Sequence, residues 1–223
     1  MPDGQYSFYL HSDDRTDIAA MATISTISQP LRGEFIRTAA TAGAVVYQVD
    51  ARLPALIPVF FAGQLSAVRL CAVMALVSGT WSSLTGLPDE PENGEAALPV
   101  SPETEYQRRR YTLTLQNGRS GERVESVLTE ASSRLRGDLL RNLIITGLAL
   151  HTTAPELPRL LASMPLPPTS VSELQALVQQ MAGTADVNRA AAAVPDTPAA
   201  SAAPVSGSDT REIKKNMRRA FGD

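Results

Sequence analysis

The chain has one cysteine, two histidines and few aromatic residues among its 223 positions. Each scarcity excludes something. A single cysteine, Cys71, cannot build an internal disulfide framework and suits a reducing compartment. Its neighbours are apolar, so packing rather than reactivity is its expected role. Aromatics make up 5% of the chain and hydrophobic residues 43%, so any core must be mostly aliphatic. The two histidines, His11 and His151, fall in no metal-ligand spacing. No nucleophile–base pair, phosphate loop or metal motif is legible, which argues against an enzyme and calls for neither metal nor cofactor. Asp3, Asp13 and Asp14 stand where a secretory leader would be basic and then apolar, so no such leader is expected. One apolar run, "LPALIPVFFAGQLSAVRLCAVMALVSG" at 53–79, approaches the length that a bilayer requires. Pro54, Pro58, Gln64 and Arg69 interrupt it, so a buried helical pair and no membrane contact is expected.

What the chain does contain is a repeat. "LRGEFIR" at 31–37 returns as "LRGDLLR" at 135–141, an offset of 104. The offset holds without gaps for about fifty residues. Arg32, Gly33, Arg37 and Gly43 meet Arg136, Gly137, Arg141 and Gly147, and Leu53-Pro54 meets Leu157-Pro158. Further on, Ser66, Leu70 and Gly79 meet Ser170, Leu174 and Gly183. Upstream the offset becomes 105, and "YSFYLH" at 6–11 meets "YTLTLQ" at 111–116. Two diverged copies of one module of about 75 residues are too few and too long for a solenoid. The apolar run at 53–79 also has its partner, "LPRLLASMPLPPTSVSELQALVQQMAG", which is amphipathic rather than membrane-like.

The organisation follows. The first module covers 1–80, and an acidic, Pro-rich linker covers 81–105, with six acids and no base. The second module covers 106–184. A disordered Ala/Pro-rich spacer covers 185–208, and a short tail, "DTREIKKNMRRAFGD", covers 209–223. The net charge of −3 hides an uneven distribution. Residues 106–141 carry eight arginines against four acids, and the tail five bases against three acids. Such basic segments, not the total, bear on nucleic-acid contact.

Each module opens with a short alternating run. Leu113 and Leu115 fall on one side and Thr112, Thr114 and Gln116 on the other; Phe8 and Leu10 oppose Ser7, Tyr9 and His11. "NGRSG" at 117–121 reads as a turn. A helix is expected over 121–134, with Val124, Val127, Leu128 and Ala131 inward. A second is expected over 138–150, after a break at Gly137, and two more over 155–163 and 169–182.

A lone six-residue strand cannot satisfy its own backbone groups, so it must pair with another. The module offers no second strand, so the partner is the other copy, in the same chain or another. The expected fold is mostly α: a tandem-duplicated ribbon-helix-helix with extra C-terminal helices in each module. Pairing within one chain, as a pseudo-dimer, is the simplest form, because a flexible linker of about 25 residues reaches roughly 25–30 Å on average. In this architecture a two-stranded ribbon enters the DNA major groove and the start of the second helix grips a phosphate. The candidate DNA contacts are therefore Ser7, Tyr9, His11, Thr112, Thr114 and Gln116 on the ribbon. Arg108, Arg109 and Arg110 precede the second strand, and Arg32, Gly33, Arg136 and Gly137 stand at the helix starts. In the tail, Ile213, Met217 and Phe221 recur every four residues, flanked by Lys214, Lys215, Arg218 and Arg219, a pattern that folds onto a partner groove.

The second copy and tail resemble ParR, the DNA-binding adaptor of ParM actin-type plasmid partition systems. The resemblance rests on "RRRYTLTL", "LRGDLLRNLIITGLAL", "PELPRLL" and "REIKKNMRRAF", in that order, over about 110 residues. It implies a cytoplasmic, plasmid-associated bacterial protein that binds double-stranded DNA carrying tandem centromere repeats. It further implies self-association into an array and a tail that engages a ParM-like filament. This chain departs from the pattern by carrying two modules.

Other readings remain. A ribbon-helix-helix transcription repressor or relaxosome accessory protein would need no filament partner. A helical scaffold or toxin-neutralising protein would need no DNA.

Overall fold

The computed structural model describes residues 4–80 and 107–192, with side chains described through residue 183. The linker, most of the spacer and the whole tail, with its seven candidate partner-binding residues, lie outside the described residues.

The two alternating runs find each other. Strand β1, Gln5–His11, pairs antiparallel with β2, Arg108–Thr114, in a two-stranded ribbon made by one chain. Ser7 opposes Thr112, the residue that the repeat makes its equivalent. The pairs on either side are then matched by pairs of equivalent residues: Phe8 opposes Tyr111 as Tyr6 opposes Leu113, and Tyr9 opposes Arg110 as Gln5 opposes Thr114. The register is that of an isologous dimer with its pseudo-twofold axis through Ser7 and Thr112. Phe8, Leu10, Leu113 and Leu115 are buried beneath the ribbon, each contributing about 1.5–3 kcal/mol of apolar burial.

Below the ribbon each copy supplies the same helices. The first gives α1 (Arg15–Thr26), α2 (Arg32–Val49), the single turn α3 (Leu53–Leu56) and α4 (Ala67–Ser78). The second gives α5 (Arg119–Glu130), α6 (Arg136–Thr153), α7 (Leu157–Ser163) and α8 (Val171–Ala192). Local chemistry marks the ends. Asp14 caps α1 by accepting from the Asp17 amide at 3.0 Å. The Ser170 hydroxyl accepts from the Glu173 amide at 3.2 Å, while the Glu173 carboxylate accepts from the Thr169 amide at 2.8 Å. Gly79 closes α4 in the left-handed region at φ 70°. Leu53-Pro54 and Leu157-Pro158 each place a proline in a first helical turn, where its missing N–H costs nothing.

The copies interlock rather than sit side by side. Helix α2 packs chiefly on α6 and α7 of the other copy, and α6 reaches back to α3 and the 3₁₀ turn Ile57–Phe60. The crossing of α2 and α6 is closest at Gly43 and Gly147. A Cβ on Gly43 would lie 2.8 Å from Leu143 Cα, and one on Gly147 would lie 2.6 Å from the Ala39 carbonyl carbon. Leu143 and Ala39 are themselves repeat equivalents, so the close approach obeys the same pseudo-dyad as the ribbon. The core around it is aliphatic: Leu53, Ile57, Leu70, Leu128, Leu140, Leu143, Ile144 and Ile145 are fully buried.

A tandem-duplicated, mostly helical pseudo-dimer is thus the observed fold. Some expected boundaries differ. β2 starts at Arg108 and ends at Thr114, because a register centred on Ser7 and Thr112 brings Arg108 opposite His11. Gln116 is therefore off the strand, contrary to the alternation read from sequence. Helix α5 starts at Arg119 and stops at Glu130, four residues short of the expected end. Helix α6 begins at Arg136, before Gly137. Helix α8 runs to Ala192, into the expected spacer, where alanines favour a helix over a turn. The apolar run at 53–79 forms α3, a 3₁₀ turn and α4, and no helix among the described residues is long and apolar enough to cross a membrane. The compact unit that holds both copies ends at Val187.

Candidate nucleic-acid interface

With Phe8, Leu10, Leu113 and Leu115 turned inward, the pleat directs the alternate residues to solvent. Along the ladder these form four cross-strand pairs: Gln5 with Thr114, Ser7 with Thr112, Tyr9 with Arg110, and His11 with Arg108. Arg108, Arg110, Thr112 and Thr114 are exposed, and Ser7, Tyr9 and His11 partly so. Every side chain on this face can donate a hydrogen bond, and most can accept one.

Two arginines on it are held in place. The Arg110 Nε and a terminal nitrogen donate to the Ser7 hydroxyl at 3.2 and 3.0 Å. The Arg108 guanidinium lies 3.6 Å from the centroid of the Tyr9 ring, a cation–π contact worth about 0.5–1 kcal/mol at an exposed site. Sequence reading placed Arg108, Arg109 and Arg110 ahead of the strand; all three are within it. Arg109 consequently points to the other side, 5.3 Å from the Tyr111 ring centroid. Tyr111 stacks on Phe8 at 5.2 Å, and burial pushes its hydroxyl above the ordinary tyrosine range, against the pull of Arg109 and Arg32.

The helix starts lie close beneath. A Cβ on Gly137 would sit 3.5 Å from the Ser7 carbonyl oxygen, so α6 begins under the strand of the first copy. Neither α2 nor α6 has a side-chain N-cap, although the Arg32 amide already donates to the Gln29 carbonyl. Gly33 is exposed, with only an Arg37 terminal nitrogen 3.8 Å from its would-be Cβ. Arg32 and Arg136 have a definite second task. Their Nε atoms donate to the Ile27 and Ala131 carbonyls at 2.8 and 3.2 Å, repeat-equivalent positions where α1 and α5 end.

Three features were not foreseen. Gln5 joins the outward face through its pairing with Thr114; the chain's alternation, carried one residue back from Tyr6, could have found it. Gln116, read as a ribbon residue, instead lines a cleft beside the start of α5. Most consequential is a buried ion pair between the copies. The Asp17 carboxylate, fully buried, accepts from the Arg141 Nε at 2.7 Å and from the His11 amide at 2.9 Å. Burial raises its proton affinity above the ordinary carboxylate range, and the hydrogen bonds from Arg141 and His11 oppose that shift. Only the pairing of modules reveals it, because Asp17 and Arg141 lie 124 positions apart.

The face is lopsided. Repeat equivalents of Arg109 and Arg110 are Gly4 and Gln5, so the three strand arginines come from one copy and gather at the His11 end. His151 lies in the last turn of α6: its Nδ1 is 3.2 Å from the Pro155 carbonyl oxygen, and its ring meets Phe35 edge-on at 4.9 Å. Cys71 is buried, which pushes its thiol away from ionisation.

A family model described as plasmid stability protein matches twice, at residues 4–74 and 109–178, which is more than half of the chain. The chain belongs to the plasmid stability protein family. The two matches fall on the two copies read from the repeat and leave the linker and tail outside. No curated protein and no solved structure matches the chain at a significant level.

Proposed function

We propose that this plasmid stability protein is a partition adaptor that binds double-stranded DNA by laying the β1–β2 ribbon in the major groove. The observation that carries the reading is the ribbon itself: one chain completes it, its inner face seals the core, and its outer face is wholly polar with two oriented arginines. A ribbon of two strands fits the major groove, where arginine pairs with guanine O6 and N7 and threonine meets a thymine methyl. First-turn amides of α2 and α6, with Gly33 and Gly137 admitting close approach, would take flanking phosphates. Since the ribbon's charge lies at one end, the preferred site is not a perfect palindrome, although the backbone is pseudo-symmetric.

Anisotropy titration of labelled DNA from upstream of the gene tests this. Arg108→Ala with Arg110→Ala should cost about 1–3 kcal/mol per lost base contact and lower the salt slope by about one for each lost phosphate contact. Unchanged binding in that variant, and in Thr112→Ala with Thr114→Ala, would refute the ribbon as the reader. Footprinting should reveal direct repeats. The tail would couple the DNA-bound protein to an actin-type filament: deleting 209–223 should leave DNA binding intact and abolish stimulation of such a filament. Deletion without effect on plasmid inheritance would favour the repressor or relaxosome reading.

A further inference from the structure

The two copies share a framework at the start of their first helices, and its arginines, but not its acids. In the first copy, the Thr16 hydroxyl donates to the Pro58 carbonyl at 3.1 Å; in the second, the equivalent Ser120 donates to the equivalent Ala162 carbonyl at 3.2 Å. Within the first frame, Arg141 is held by two carboxylates, Asp17 at 2.7 Å and Asp14 at 3.3 Å. The repeat equivalents of Asp14 and Asp17 are Gly118 and Gly121, while the equivalent of Arg141 is retained as Arg37. No side chain at 121 could restore the carboxylate, because a Cβ there would run into the Gln116 carbonyl.

What remains in the second frame is an open cleft of about 320 Å³. Arg37, Arg119 and Arg159 line it, against one acid, Glu34. Arg37 turns to Glu34, 2.7 Å away on the next turn of its own helix, and that glutamate is 65% exposed, so the pair is well solvated and exchangeable. The Arg119 and Arg159 side chains are exposed and make no ion pair or hydrogen bond to another described residue. The equivalent of Arg159 in the filled corner is Ala55, so a cation has been added where the acids have gone.

We propose that this cleft binds a doubly charged oxyanion, a phosphate monoester or a pair of carboxylates, in the place that Asp14 and Asp17 fill in the twin corner. Forked guanidinium groups match both chemistries and bind either in bidentate fashion. The site is separate from the ribbon and does not depend on the DNA-binding reading.

The test uses the full chain and two probes, inorganic phosphate and succinate, at constant ionic strength with sodium chloride as the reference. A probe present at ten times its dissociation constant should raise Tm by about 3–6 °C and move the Gly118, Ser120 and Gly121 amide signals in an NMR titration. A response to phosphate alone identifies the phosphate source, a response to succinate alone the carboxylate source, and both together the shared oxyanion chemistry. Arg119→Gln with Arg159→Gln should abolish the response, while Arg108→Gln with Arg110→Gln should retain it. No response beyond chloride overturns the proposal. So does a response that survives in the cleft variant, or one that is lost with the ribbon variant.

Discussion

Helix α2 carries two glycines that should respond to alanine in opposite ways. By helix propensity alone, glycine to alanine in a helix stabilises by up to about 1 kcal/mol. At Gly33 nothing opposes that gain, since the nearest atom to a new Cβ is an Arg37 side-chain nitrogen at 3.8 Å. At Gly43 the new Cβ would run into the Leu143 carbonyl oxygen and stand 2.6 Å from its carbonyl carbon, and ordinary carbon contacts lie at about 3.5–4.0 Å, so α2 and α6 must part by about 1 Å or more. Overpacking usually costs about 1–3 kcal/mol, and here both clashing groups are backbone, so no rotamer relieves it. With the propensity gain set against a cost at or above the top of that range, the expected net loss is about 2–3 kcal/mol. In a compact unit of this size that is a fall in Tm of about 4–12 °C. Gly147→Ala should behave alike, since its Cβ meets Ala39 across the same crossing. The double variant should lose less than the sum, because the first substitution has already separated the helices. Calorimetry or thermal circular dichroism on the four variants checks this. A Gly43→Ala protein as stable as Gly33→Ala would refute the close crossing.

Other consequences can be measured directly. Arg141→Met leaves the buried Asp17 carboxylate without its cation and should cost about 3 kcal/mol at neutral pH. The native Asp17 proton affinity is already raised; losing Arg141 raises it further, so the penalty should shrink as pH falls through the Asp17 titration. A pH-independent penalty would mean that packing, not charge, was lost. The Thr146 hydroxyl is buried without a hydrogen-bond partner among the described residues, so Thr146→Val should hold or raise stability by about 1 kcal/mol in denaturant titration; a loss of that size would show that the hydroxyl is satisfied. Residues 1–80 or 106–184 expressed singly expose one edge strand and the α2 or α6 crossing face. Each should be unfolded or self-paired by light scattering and amide exchange, and mixing the two should restore the fold. A stable folded monomer of either would contradict the interlocked core.

Much of this architecture was legible because it is periodic. The repeat offsets of 104 and 105 identify the two copies, and the change between them falls in the strand-to-helix turn, where "SDD" at 12–14 meets "NG" at 117–118. Alternation in "YSFYLH" and "YTLTLQ" separated buried Phe8, Leu10, Leu113 and Leu115 from the polar face. Helical spacing likewise found Val124, Val127 and Leu128. The errors arose where periodicity is silent. Gln116 continues the alternation on paper, but β2 ends at Thr114, whose partner is Gln5. Arg108, Arg109 and Arg110 look like a basic flank, yet the opposing strand draws them into the sheet.

Sequence alone determined the local facts: which segments alternate, which are helical, and that a single strand per copy demands a mate. Each depends on chemistry within a few residues. Tertiary structure decided that the mate lies in the same chain, that Gly43 and Gly147 mark a crossing, and that Asp17 meets Arg141 while Arg37 is left facing an open cleft. Those outcomes depend on which backbones approach one another across about a hundred positions of sequence. Such proximity is a property of the folded pair, and neither copy encodes it on its own.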